Sequence, residues 1–344
     1  MSRFRQHCER QAEACTALGS PFTAQLCRLL GSRLTANTVV AEKLLNWENL
    51  AADAVALRVA GGLHALAMAS PNSALAVVYP PNLTDDEALW RAVSDALADN
   101  TAFWLDWLDS APQTNEVRRC SGLIPAFHWL AARHNMPLRL SEIGASAGLN
   151  TNWDRYALNI GEQVWGPMDS LVQLKPDWRG PLPPNTNVVI NNKEGCDLHP
   201  IDPSDPESRK RLHAYIWPDQ PERHQMTSDA LDMASGLVRK EDALTFLNRR
   251  LLEPSKEELH IIFHSIVWQY LPANHQEACK AAIIAVAKDA SAQKPLAWVS
   301  IEADETRGSA AMTCTSWPGR ETTQLGRIDF HGRWVDWKPE MASS

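Results

Sequence analysis

"LRLSEIGASAGLN", residues 138–150, admits two incompatible readings. Gly144-Ala145-Ser146-Ala147-Gly148 fits G-x-S-x-G, the sharp turn that lifts a nucleophilic serine above the end of a strand. With Glu142 included, the same letters become E-x-G-x-S-x-G. That is an apolar strand running into a turn of small residues, where a backbone can approach a nucleotide-like cofactor closely. In the first reading Ser146 reacts. In the second it only leaves room.

The upstream chain weighs against the first. An elbow serine follows several earlier strands and needs oxyanion donors from an upstream loop. Residues 1–135 read instead as helices, and no H-G-G-G-like segment occurs among them. "GSPFTAQLCRLLGSRL" offers Ser20 as N-cap and Pro21 at the first helical position. "LTDDEALWRAVSDALADN" predicts a capping box from Thr84 and Glu87, followed by Leu89, Trp90, Val93 and Leu97. "TAFWLDWLDS" and "VRRCSGLIPAFHWLAARHN" continue the helical pattern, and "ALAVVYPP" (74–81) is the one strand-like exception. A chain order Ser146, then Asp197 or Asp242, then His264 or His331 can be assembled. With 11 histidines, some such order is expected by chance.

From about residue 136 strand-like runs appear: "LRLSEIG", "NVVINNKEGCD", "LHIIFHSIVW", "LAWVSIE" and "AAMTCTSW". Helical stretches such as "PESRKRLHAYIW" and "HQEACKAAIIAVAKDA" separate most of them, which predicts an α/β fold with a mostly parallel sheet covered on both faces. The last strands, with "RIDFHGRWVDW", are closely spaced and predict an antiparallel finish. "WGPMDSLVQLKPDWRGPLPPN" reads as an inserted loop. The expected organisation is a helical region, 1–135, able to act as a lid, a Rossmann-like domain, 136–338, and a tail, 339–344.

Composition excludes several classes. A net charge of −8 disfavours a nucleic-acid binder working through bulk phosphate contacts, and Arg209-Lys210-Arg211 reads as a solvated helix face. Seven scattered cysteines without a C-x-x-C pair make neither a disulfide framework nor a zinc site and fit a reducing cytoplasm. The N-terminus lacks the apolar stretch of a secretory signal, and no apolar run approaches the ~18 residues a membrane span needs. His260 and His264 sit four apart on a strand, about 13 Å of extended chain, too far for one metal. No metal is expected. The expected partners are a small-molecule substrate and, in solution, a second copy of the chain as a homodimer, with neither nucleic acid nor membrane.

Three downstream signals arrive in the order a methyltransferase sheet requires. "GCDLHPID" puts Asp197 at a strand end, where a carboxylate can accept ribose hydroxyls. "VRKEDAL" puts Asp242-Ala243 in a position resembling the loop that meets an adenine amino group; the plainer alternative is a helix-start acid. "LHIIFHSIVWQYLP" ends an apolar strand in His264-Ser265, resembling the strand that lines the methyl-donor site.

Over nearly all its length the chain resembles a bacterial group known as domain-of-unknown-function family 2332. The resemblance rests on "PQTNEVRR" (112–119), "EIGASAGLN" (142–150), "GCDLHPIDP" (195–203), "YIWPDQ" (215–220), "FHSIVWQYLP" (263–272) and "FHGRWVDW" (330–337). It implies a methyltransferase-like Rossmann domain behind a helical N-terminal region, and no established reaction. Two departures from the methyltransferase pattern stand out: Ser146 replaces the middle glycine, and the gap from Gly148 to Asp197 is long.

The expectation is a cytoplasmic enzyme that uses S-adenosylmethionine on a small molecule. Glu142, Gly144, Ser146, Gly148, Asn150, Asp197, Asp242, Ala243 and Ser265 would form the cofactor site. Asn115, Glu116, Trp268, His331 and Arg333 would meet the substrate, and His264 would serve as the base. The alternatives are a serine hydrolase built on Ser146 and a methyltransferase-like binding module without catalysis.

Overall fold

In the computed structural model, which describes residues 2–254 and 257–341, short polar side chains start the N-terminal helices. Ser2, Ser20 and Thr38 each accept a backbone N–H in the first turn of the helices Arg3–Ala17, Pro21–Arg33 and Val39–Leu45. The run at 74–81 is not a strand. Ser73 caps a short helix, Ala74–Val77, and the apolar stretch is too short for its period to separate strand from helix. The next helix, Asp86–Asp99, is capped by Asp85 through Ala88 N–H, one residue after the expected Thr84.

These helices belong to the first of two compact units, which runs to Thr114 and then takes in Ser204–Gln225 from much later in the chain. The later segment completes this unit's core. Ala214, Tyr215 and Trp217 join Phe4, Leu30, Leu63 and Trp104, and the Tyr215 ring lies 5.3 Å from that of Trp107. Asp219 binds the start of the second helix through the Ser20 hydroxyl (2.5 Å) and Phe22 N–H (2.9 Å). Arg211 lies over Trp107, 4.3 Å from the ring centre, and Lys210 pairs with Glu207 at the surface.

Three histidines meet in this unit. His64 Nδ1 lies 3.2 Å from Ala214 O, and His213 and His224 share a hydrogen bond of 3.2 Å between their Nδ1 atoms. Burial lowers all three, His64 and His224 to about 4. The unfolded chain takes up these protons near the ordinary histidine value and the folded chain resists them. Their stabilisation is therefore present above pH ~6.5 and is lost as pH falls toward 4. Between pH 7 and 5 the urea midpoint of His64→Gln should gain on that of the parent; an equal change in both proteins would refute this role.

The second unit comprises Asn115–Pro203 and Met226–Ser344. The break falls between 114 and 115, not near 135, because the helix Cys120–His134 seats on the sheet. Phe127 and Phe263 lie 5.1 Å apart, and a Cβ on Gly122 would come within 2.7 Å of Met312. The strands are β1 (Leu138–Ile143), β2 (Ala157–Ile160), β3 (Gln163–Trp165), β4 (Gln173–Leu174), β5 (Asp177–Arg179), β6 (Ile190–Asp197), β7 (Leu237–Lys240), β8 (Leu259–Ser265), β9 (Leu296–Ala303), β10 (Ala310–Trp317), β11 (Glu321–Ile328) and β12 (Trp334–Met341).

Nine of them form one mixed sheet in the order β5-β12-β11-β10-β9-β8-β1-β6-β7. The block from β7 to β9 is parallel, and β10, β11 and β12 add the expected antiparallel finish. The Pro/Trp-rich segment is more than a loop: within it β5 pairs with β12, and β4 joins β2 and β3, which precede it, in a small second sheet. The helices Ala243–Leu252 and Ala273–Ala287 cover one face of the large sheet through Leu247, Ile262, Cys279 and Ile283. The helix Cys120–His134 covers the other, which is why β1 and β8 are buried throughout. No helix among the described residues is long and apolar enough to cross a membrane.

Candidate functional site

β1 is central and pairs with β6 on one side and β8 on the other, so the chain leaving Ile143 emerges between Cys196 and His264. Here the backbone turns at once. Gly144 and Gly148 have φ of +70° and +72°, and a Cβ on Gly144 would also strike Val267. A hydrogen bond of 2.7 Å from Gly148 N–H to Ala145 O closes a four-residue turn. Ser146, its first central residue, has φ +52°, an uncommon conformation for a residue with a Cβ. The chain then enters a 3-10 helix, Asn150–Arg155, kinked at Asn152.

Asp197 ends β6 beside this turn. Its carboxylate accepts Ser146 N–H (2.9 Å) and His199 N–H (2.9 Å). The Ser146 hydroxyl is buried without a hydrogen-bond partner. Asp242 stands two residues beyond β7 and caps the helix Ala243–Leu252, accepting Leu244 and Thr245 N–H at 3.1 Å. Buried Ala243 follows it as the first helical residue.

On the face under the helix Cys120–His134, the sequence-predicted residues converge on one side chain that the sequence did not single out. Arg119 donates to Ser265 O (3.1 Å) and Oγ (3.4 Å), and through Nε to Phe330 O (3.2 Å). Asn150 also donates to Ser265 Oγ, and Asn115 accepts Leu149 N–H (2.9 Å), so the glycine turn, the end of β8 and the segment 115–119 form one buried network. Glu116 accepts Arg118 N–H at the start of a short 3-10 turn. His331 N–H and the Arg333 guanidinium both bind Asp329, and this tight turn packs on Arg118.

On the opposite face His264, at the end of β8, pairs through Nδ1 with Glu302 of β9 (2.6 Å). The same Glu302 oxygen accepts Val267 N–H (3.1 Å) and Trp268 N–H (3.2 Å). The Trp268 indole stacks on the imidazole, with centres 4.8 Å apart. His260 is held separately by Ser141 Oγ (2.9 Å), and burial together with Arg139 and Arg250 keeps it neutral. The two histidines thus have different partners. A pocket of about 410 Å³, lined by Ile124, His128, Trp153, Asp154 and Thr186 among others, involves none of the expected site residues.

Residues 5–337 match the family described as uncharacterized protein conserved in bacteria, DUF2332. The chain belongs to that family. No curated protein and no solved structure matches it. Three of the six DUF2332 segments that carry the sequence resemblance fall at one end of the sheet: "EIGASAGLN", "GCDLHPIDP" and "FHSIVWQYLP" leave β1, β6 and β8 side by side.

One buried acid of this DUF2332 chain has a measurable consequence. Glu142, on β1, accepts the Thr151 hydroxyl, and burial raises its carboxyl from the ordinary range to about 8, Asp197 adding to the effect. The folded protein therefore keeps a proton that the unfolded chain releases. That stabilisation is complete below pH ~4.5 and is lost as pH rises through 8. Glu142→Gln, neutral at every pH, should raise the urea midpoint at pH 8 and match the parent near pH 4.5. An equal effect at both pH values would show that the carboxyl titrates normally.

Proposed function

We propose that this protein is an S-adenosylmethionine-dependent methyltransferase acting on a small molecule. The observation that carries the reading is strand order. Numbered by their order in the chain, the parallel strands β7-β6-β1-β8-β9 run 3-2-1-4-5, the order of a Rossmann-like doubly wound sheet. Ligands of such sheets bind outside the C-terminal strand ends where the order reverses, here beyond β1 and β8. The glycine turn lies there, and acids stand at or just after the ends of β1, β6 and β7: Glu142, Asp197 and Asp242.

The residues fit a nucleoside cofactor. The Ser146 hydroxyl is a buried polar atom awaiting a partner, and Asp197, fixed by two N–H groups, stays partly exposed at its strand end. When bound, S-adenosylmethionine supplies a methyl group on a positively charged sulfur, ready for in-line displacement. Asp197 would hold the ribose hydroxyls. Asp242 Oδ1 is engaged by its own helix, so Oδ2 would meet the adenine amino group. Gly144 and Gly148 leave two positions of the turn without side chains, and positioning and exclusion of water would supply most of the chain's catalytic contribution. Calorimetric titration of S-adenosylmethionine into the purified protein tests this: micromolar binding supports it, and no binding by folded protein sinks it.

A second reading has one specific observation behind it. Within the turn closed by Gly148 and Ala145, φ is positive at Ser146 and not at Ala147, which puts a strained serine at its first corner. A nucleophile elbow holds its serine on such a sharp, strained turn. Against it, the Ser146 hydroxyl bonds to no histidine, and the carboxylates of Asp197 and Asp242 are engaged by backbone N–H groups. A fluorophosphonate probe labelling the parent but not Ser146→Ala would favour this hydrolase reading over the first.

A further inference from the structure

Glu302 Oε1 faces three hydrogen-bonding groups at once. Two are backbone N–H groups, of Val267 and Trp268, which the oxygen accepts. With Glu302 as a carboxylate, the third, His264 Nδ1, brings the hydrogen, and in the neutral ring Nε2 is then left with an unshared pair. His264 is 1% exposed, and neither Nε2 nor Glu302 Oε2 has a hydrogen-bond partner. Beside them the Trp298 indole N–H is also buried and unpartnered, its ring 5.9 Å from the imidazole. A clamp serving only the fold would satisfy these atoms, since buried polar groups rarely go unbonded.

The cover is a short segment with stored strain. Trp268 lies on the imidazole, in a 3-10 turn with no buried residue. The turn is joined to β8 through Ile266, whose φ of +51° is an outlier for a β-branched residue. Strain of this kind persists where surrounding structure imposes it, and it collects at clamps and switch regions.

We propose that His264 Nε2 is a proton acceptor held ready by Glu302 under a Trp268 cover, and that the molecule methylated is a neutral hydroxyl or amine compound. The second half rests on the methyltransferase reading. An acceptor already ionised, such as a carboxylate, has no proton to give and no use for a bare nitrogen beside a carboxylate. In the step, the O–H or N–H bond of the acceptor breaks and its proton goes to Nε2. The acceptor's electron pair forms the new bond to the methyl carbon, and the methyl–sulfur bond breaks with its pair remaining on sulfur. The imidazolium, stabilised by the Glu302 charge, then returns the proton to water. His264 is the catalytic residue here and Glu302 a positioning residue.

The test reads tautomers by NMR in the full-length protein labelled with 15N-histidine, His264 being assigned by His264→Gln. The parent should show hydrogen on Nδ1 and a bare Nε2. Glu302→Leu should release the ring to the Nε2–H form, and Glu302→Gln, whose carbonyl can still accept, should restore the parent state. Trp268→Ala should speed carbethoxylation of His264, mapped by mass spectrometry. An Nε2–H tautomer in the folded parent, or no response to Glu302→Leu, overturns the dyad. With S-adenosylmethionine present, turnover confined to carboxylate or thiolate acceptors overturns the acceptor class. The tautomer is read without cofactor, so absent S-adenosylmethionine binding removes the methyltransferase reading, and the acceptor class with it, while leaving the dyad intact.

Discussion

Asp197→Ala should weaken S-adenosylmethionine binding by about 2 kcal/mol or more, roughly thirtyfold, in a calorimetric titration. Two hydroxyls bound by one carboxylate are charge-assisted hydrogen bonds, each contributing ~1.5–3 kcal/mol. The same substitution removes the acceptor for Ser146 and His199 N–H, so the glycine turn also loses its tie to β6. Asp197→Asn separates the two effects. Its carbonyl oxygen can still take one N–H, and affinity should fall between the parent and the alanine variant. Binding equal to that of the parent in both variants, with circular dichroism showing folded protein, would remove Asp197 from the cofactor site.

Arg250→Met should cost ~3–5 kcal/mol of folding stability, a large share of the ~5–15 kcal/mol typical of a domain. Arg250 is 1% exposed, and its guanidinium donates to Ser141 Oγ (3.0 Å), Leu140 O (3.0 Å) and Glu253 (2.9 Å). Glu253 is shared with Arg139, while Glu194 joins Arg249 and Arg239. Methionine fills much of the volume but removes a buried donor from Leu140 O, Ser141 Oγ and Glu253; Glu253 keeps Arg139 and Arg249 and Ser141 keeps His260, so the penalty comes from the lost guanidinium bonds inside the sheet face. Urea denaturation of the full chain measures it. A loss below about 1 kcal/mol would mean that water replaces the guanidinium.

The elements that sequence made legible are those that carry their own pattern. β1, β8 and β9 are apolar runs of strand length, and the helix Pro21–Arg33 announces itself by Ser20 and Pro21. β7 has no such pattern: it is four residues on the sheet edge and mostly exposed, and only its hydrogen bonds to β6 define it. β5 is likewise made by its partner β12 within a Pro-rich stretch. The helix Cys120–His134 looked like the helices before it, because periodicity reports an apolar face and not which core that face joins. Glu302 was missed for a related reason. An acid at the end of "LAWVSIE" reads as an ordinary strand exit, and His264 lies 38 positions earlier. Arg119 stands in "PQTNEVRR" beside Arg118, and nothing in those letters tells the buried arginine from its neighbour.

The split ownership of residues 204–225 bears on how the chain is made. During synthesis the N-terminal helices emerge first, yet Ala214, Tyr215, Trp217 and Asp219 of their own unit arrive only after β1 to β6 have been translated. Until then Trp107 has the Phe103 ring but lacks that of Tyr215, and Gly61, whose missing side chain makes room for the Tyr215 ring, faces nothing from that segment. The nascent helices must wait with apolar surface uncovered, the state that chaperones hold. An N-terminal fragment ending anywhere from 115 to 203 lacks the segment that completes its own core, so no single cut leaves both units with all their residues.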